Sequence, residues 1–262
     1  MAAVIAPAGP FPAELLVGAR SALFLFGAQD LAQLDVLLSK ASAVVSMREV
    51  AAGNHDPSVI GLRHDVDDNP GSLDTAVKIA RWEAERGYRS TFFMLHGTSY
   101  WTPDRLPAAV EEIAGHGHEI GIHANGIAEA LRTGRDPDEI LAEALVELRA
   151  IGFPVIGVAG HGDRLCYDAE FVNDEQFVEC ARPNMGAPDR TLTYRGVTLE
   201  LAPKPLSFFA LEYESLRLPR GHYQSDSGGQ WFEPMAQTIA GFPYANGPLQ
   251  VLQHSDWWGS AF

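Results

Sequence analysis

Ser58-Val59-Ile60-Gly61-Leu62-Arg63-His64-Asp65-Val66-Asp67-Asp68-Asn69-Pro70-Gly71-Ser72 is the stretch on which the reading of the fold turns. Its first five residues form a short, apolar, β-branched run, the pattern of a buried strand. Asn69-Pro70-Gly71-Ser72 is turn chemistry, and a helical pattern opens near Leu73. A histidine and three carboxylates therefore crowd the mouth of a strand-to-helix connection. Acids gathered at the end of a buried strand repel one another and resist desolvation, a cost that a bound cation offsets. In an extended chain Asp65 and Asp67, two apart, point the same way, so that one can hold a metal while the other handles a proton. The same acids can instead cap the following helix and stay solvated. On this stretch alone both readings stand.

Downstream, strand and helix alternate. A helix over about 73–86 sets Leu73, Val77, Ala80 and Ala84 on one face and stops at Gly87. A strand over 90–95 leads to His96, and a helix from Pro103 turns Leu106, Val110 and Ile113 inward. A third strand over 118–122 delivers His123 and Asn125; its helix, about 137–150, carries Ile140, Leu141, Ala144, Leu145 and Leu148 as an apolar stripe. A fourth strand over 154–159 delivers His161 in Gly160-His161-Gly162-Asp163-Arg164. Such units with short connections make an α/β fold with a parallel sheet, curled into a barrel or left open. Further on, 191–201 alternates about a glycine and reads as a hairpin, and 221–229 as a strand entering a loop. A last strand over 249–253 ends at His254, followed by Ser255-Asp256-Trp257-Trp258.

Upstream, residues 1–57 read as a helical extension that packs against or covers the domain formed by 58–262. One segment has Leu15, Leu16, Ala19, Leu23 and Phe26 near helical spacing, a second Leu31, Leu34, Leu37 and Leu38. At 262 residues, 46% hydrophobic and 20% charged, the chain is ordinary for a globular protein with a substantial core. A formal charge of −15 argues against nucleic acid or an anionic membrane surface as partner. Cys166 and Cys180 are too few for a disulfide scaffold or a thiolate metal site. The opening Met1-Ala2-Ala3-Val4-Ile5-Ala6 lacks the basic flank of a secretory signal, and no apolar run is long enough for a membrane span, so a cytoplasmic protein is expected.

Five of the nine histidines, His64, His96, His123, His161 and His254, fall at or just past the C-terminal end of an expected strand. In parallel sheets and barrels that edge is where loops converge into sites. His118 opens its strand at the opposite edge and reads as structural. His116 reads as an exposed helix-end residue, and His55 and His222 carry no signal. His96 suits loop packing or substrate contact better than metal ligation. Trp257 and Trp258 suit either a core or a surface that stacks on sugar rings.

Assembled, these residues resemble the polysaccharide deacetylase family, also called the NodB-homology or carbohydrate esterase 4 family, over roughly 58–259. His64-Asp65-Val66-Asp67 is similar to the family's first motif, in the branch that spaces its acids as Asp-x-Asp. Ser90-Thr91-Phe92-Phe93 looks like the second strand, Gly117-His118-Glu119-Ile120-Gly121-Ile122-His123 is very close to the second motif, and Leu252-Gln253-His254 resembles the motif that supplies an acid. The resemblance implies a distorted (β/α) barrel and a metal-dependent hydrolase acting on the C–N bond of an N-acetylated sugar or glycoconjugate. It implies Asp65 as base, Asp67 and His123 as ligands of a divalent ion such as zinc, and His254 as the acid, oriented by Asp226 or Asp256.

Two departures stand out. The family's further ligand, four residues past His123, is here Ile127, and the arginine expected to open a third motif is absent from Ala159-Gly160-His161-Gly162-Asp163-Arg164. His161 is the expected replacement ligand. His64, Asp68, His96, Asn125, Arg164 and Trp257 are expected around the site as supports or substrate contacts. Two other functions remain: a metal-independent C–N hydrolase, favoured by Ile127, and a non-catalytic carbohydrate-binding relative.

Overall fold

The computed structural model describes residues 26–180 and 190–262. The helical segment expected from Leu15 onward lies outside these residues except for Phe26. In chain order come α1 (Ala28–Ser39), β1 (Ala43–Val45), α2 (Met47–Ala51), β2 (Val59–Val66), α3 (Ser72–Glu85) and β3 (Thr91–Leu95). Next are α4 (Leu106–Gly115), β4 (Glu119–Ala124), α5 (Gly126–Thr133), α6 (Pro137–Ala150), β5 (Gly157–Gly160) and α7 (Arg164–Asp168). The remainder is β6 (Arg190–Tyr194), β7 (Val197–Leu201), β8 (Tyr213–Glu214), β9 (His222–Ser225), α8 (Met235–Gly241) and β10 (Leu249–His254).

The main sheet runs β8-β5-β4-β3-β2-β10-β9, every ladder in it is parallel, and with its helices it forms a distorted (β/α) barrel. A strand has two edges only. β10 pairs with β2 over Ile60–Asp65, so β1, paired at Val59–Gly61, and β3, paired at Arg63–Val66, share the other edge end to end. The segment read as a helical extension thus contributes a strand as well as α1. β6 and β7 form the expected antiparallel hairpin, apart from the main sheet.

β2 is buried along its whole length, as a strand covered on both faces must be. Alternation divides its side chains. Ile60, Leu62 and Val66 join Phe92, Met94, Ile120 and Ile122 against the helices, in one cluster with Leu73, Ala76, Ile79 and Val110. The other face looks into the curve of the sheet, where Val45, Met47 and Val50 pack with Phe93, Ala159 and Tyr213. Glycines make room there: a Cβ on Gly121 would overlap the Phe93 ring, and one on Gly157 the Tyr213 ring.

α3 is rotated from the expected face. Leu73, Ala76, Ile79, Ala80 and Glu83 point inward, while Val77 and Ala84 are half-buried. The buried Glu83 explains the rotation, because its carboxylate accepts from His64 Nε2 at 2.8 Å and Ser90 Oγ at 2.6 Å. The stripe expected on α6 is the buried one.

Candidate active site

The C-terminal ends of β2, β4, β5 and β10 bring five of the expected side chains together. Asp65 and Asp67 project to the same side of β2, and both reach toward His123 on β4. His123 Nδ1 lies 2.9 Å from the Ala159 carbonyl. A carbonyl only accepts, so Nδ1 carries the proton and Nε2 presents its lone pair. That lone pair faces Asp65 Oδ2 and Asp67 Oδ1, each at 3.5 Å, and His161 Nδ1 at 3.2 Å. Burial pushes the His123 imidazole down to about 4, against the pull of Asp65 and Asp67. The ring is therefore neutral at pH 7 and repels the carboxylates it faces, unless something positive sits between them.

The ligand atoms of Asp67, His123 and His161 all lie within 4.8 Å of one another, the only such group of three among the described residues. Asp67 Oδ1 is buried and, among the described residues, has no aligned hydrogen bond. Burial raises its affinity for a proton, but His161, 3.3 Å away, and then His254 and His123 outweigh this and hold it well below the usual carboxylate range. Burial draws His161 down, yet the neighbouring carboxylates, Asp67 first, leave it above its ordinary value. Two imidazole nitrogens and one carboxylate oxygen are the donor set of an open-sided zinc site. A buried anionic oxygen without an aligned hydrogen bond, facing a neutral lone pair, fits such an ion.

Asp65 is anchored from below. Its Oδ2 accepts from Arg63 Nη2 at 2.8 Å, both side chains being buried. The guanidinium lies over the Phe93 ring, 5.5 Å from its centroid, and donates to Ser215 Oγ. Among the described residues Asp65 Oδ1 has no hydrogen-bond partner.

On the far side, His254 Nδ1 lies 2.7 Å from Asp226 Oδ1. The buried Asp226 also accepts from the His254 backbone and from Trp258 Nε1. Burial works against a charge on His254, but Asp226, followed by Asp67 and Asp65, outweighs it and raises the imidazole to about 10. Asp256, 8% exposed, accepts from Asn69 Nδ2 at 2.6 Å; burial, then the charge of Asp67, pushes it up to about 7. His96 Nε2 accepts from the Asn125 backbone at 2.9 Å, and burial with the nearby His123 and His161 takes it down to about 4. Asn125 reaches Asp163 through its amide at 3.1 Å.

Four expected residues are not brought to this cluster. His64 alternates to the helix side of β2, where it stacks on Phe92 and bonds Glu83. Asp68 turns outward to receive Ser99 N and Oγ. Arg164 is exposed at the start of α7, and the arginine that engages this loop is Arg132, which holds Asp163. Trp257 is half-buried against the main core, beside Trp258, which stacks on Phe26. His118 bonds the Ala80 carbonyl and Ser90 at the opposite sheet edge, a structural setting.

Sequence reasoning missed Arg63 and also Asn173, whose Nδ2 donates to the His161 carbonyl at 2.8 Å. Arg63 was findable: two residues before Asp65 in a strand, it shares that face. Asn173, in a single helical turn far along the chain, carries no local signal.

No family model and no curated protein matches this chain. Among solved structures, that of a CE4 esterase from Streptococcus mutans aligns with 89% of this chain and 80% of its own, at a TM-score of 0.43 and 13% identity. Among the described residues no helix is long and apolar enough to cross a membrane.

Proposed function

We propose that this protein is a metal-dependent hydrolase that removes an N-acetyl or related acyl group from a sugar or glycan precursor. The observation that carries the reading is the neutral His123 lone pair set against Asp67 and His161, with Asp65 on one flank and an Asp226-oriented His254 on the other. Asp67, His123 and His161 would hold the ion. A bound zinc or similar ion supplies Lewis acidity, polarising the amide carbonyl and lowering the pKa of water. The motif resemblance described above supplies the substrate class.

The protein's own groups do the rest. Asp65 takes one proton from the attacking water, whose oxygen bonds to the carbonyl carbon. Arg63 keeps that carboxylate aimed. His254, charged at neutral pH, gives a proton to the departing nitrogen as the C–N bond breaks, so that acetate and amine leave. Asp226 holds the ring in place and stabilises its charged form.

The test is metal analysis of the purified protein, with acetate release from N-acetylated chito-oligosaccharides measured before and after exhaustive chelation. One bound ion, and release that disappears on chelation and returns on adding zinc, is expected. Release that survives chelation would instead establish metal-independent hydrolysis, with a proton on His161 among these atoms in place of an ion. Glycan binding without release under any metal would establish a non-catalytic relative.

A further inference from the structure

Of the three candidate ligands only His123 lies within a strand; Asp67 and His161 each sit one residue past a strand end, and ligands on loops are held less closely than those on strands. The His161 backbone N–H donates to the Ala124 carbonyl at 2.9 Å, one step beyond the last β4–β5 pair. Its carbonyl accepts from Asn173 Nδ2 at 2.8 Å. The same amide group donates to Asn125 Oδ1 at 2.9 Å, while Asn173 Oδ1 receives Ala128 N from α5 at 3.2 Å. Asn125 in turn reaches Asp163 Oδ2, and Asp163 is gripped by Arg132 Nη2 at 2.6 and 2.7 Å and caps α7 through Leu165 N. These bonds close a loop: Asn173 to His161, along the chain to Asp163, across to Asn125, and back to Asn173. It ties the His161 segment to the residues that follow His123.

We infer that Asn173 is a positioning residue that, with Asn125 and Asp163, presets the His161 imidazole against His123 and Asp67. The inference rests on the metal-site reading above. Asn173 is 1% exposed, and among the described residues its side chain bonds to His161 itself and to the segments that follow the two histidines. Those bonds need one acceptor and two donor hydrogens on a single short side chain, which asparagine has and aspartate lacks. Ile127, the second residue of α5, packs into a separate apolar cluster with Leu131 and Leu165, so that position offers no ligand to replace a misplaced His161. Losing a partner that orients a ligand typically costs about 10–100-fold in metal affinity.

The experiment titrates the full chain with Zn2+, and separately with Co2+ followed by visible absorption, for wild type, Asn173→Asp and Arg132→Met. Asn173→Asp is nearly isosteric but has no amide hydrogens. Arg132→Met loosens Asp163 from the solvent side. The expected result is a loss of about 10–100-fold in Zn2+ affinity for Asn173→Asp. Arg132→Met should show a smaller loss, and the Co2+ spectrum should change in both. A purely structural role would lower the melting temperature and leave the Co2+ spectrum of the folded protein unchanged. If Asn173→Asp does not fold, Arg132→Met decides by the same two readouts. Wild-type affinity and spectrum in the variants overturn the positioning role while the metal site stands. A wild type that binds neither ion overturns both.

Discussion

Arg63 Nη2 lies 2.8 Å from Asp65 Oδ2, and the two side chains, two residues apart on the same strand, are both buried inside the barrel. The guanidinium rests on Phe93 and donates to Ser215, so the carboxylate meets a cation that cannot move aside. Removing one partner of a buried pair leaves an uncompensated charge, at a cost of about 3–5 kcal/mol. Arg63→Met should be destabilised by that amount in urea denaturation. Arg63→Lys, which keeps the charge but loses the forked geometry, should fall between the variant and wild type. Equal stability of Arg63→Met and wild type would mean that the pair contributes nothing.

Asp65 and Asp67 face the same histidine but are expected to fail in different ways. Asp67→Ala deletes a buried oxygen that has no aligned hydrogen-bond partner and stands against two imidazoles, so bound metal and activity should go together. Asp65→Asn keeps the size and the Arg63 contact at one oxygen. It should retain metal while turnover falls about 10²–10⁴-fold, the usual weight of a general base. Metal content by mass spectrometry beside acetate release separates the two. A fully active Asp65→Asn variant would contradict the assignment of the base.

Much of this was legible along the chain because strand–helix repetition is local. The apolar runs at 58–62 and 249–253, and the stripe Ile140, Leu141, Ala144, Leu145 and Leu148, each declare an element from within one window. What was not legible depends on which neighbour a residue meets. β1 and β8 are too short to have a period, and only pairing with β2 and β5 makes them strands. α3 turned from its apolar face because Glu83 is drawn inward by His64 and Ser90, partners that no spacing rule reveals. The same blindness placed His64 at the site. Its position at a strand end was read correctly, but alternation aims it at the helices while Asp65 looks into the barrel.

His254 gives the metal-free protein a pH dependence with a definite sign. Its folded value of about 10 lies above the ordinary 6.5, because Asp226 and then Asp67 and Asp65 outweigh burial. A group raised on folding stabilises fully below its unfolded value, and that contribution is lost as pH climbs through the folded one. The His254 contribution should therefore decline between about pH 6.5 and about 10. Asp226→Asn removes the largest opposing charge, so its deficit against wild type should be widest near pH 6 and narrow toward pH 10. Denaturation at stepped pH in the presence of chelator reads this out. A deficit that stays constant across that range would remove Asp226 as the source of the shift.

Gly121 tests whether the interior of the barrel is as tight as the site above it requires. It lies on β4 two residues before His123 and on the same face, opposite Phe93 in the sheet register. A methyl group there would overlap the Phe93 ring and come within 3.1 Å of the Gly157 carbonyl. The ring cannot withdraw freely, since Arg63 lies over it and Asp65 is held by that same arginine. Gly121→Ala should cost about 1–3 kcal/mol, the usual range for one group too many in a packed core. The strain should travel along a chain of contacts, from Phe93 through Arg63 to Asp65. Turnover should then fall more than Zn2+ affinity, because of the three candidate ligands only His123 shares a strand with Gly121. A stable, fully active Gly121→Ala variant would show that the layer beneath Asp65 has slack and does not set its position.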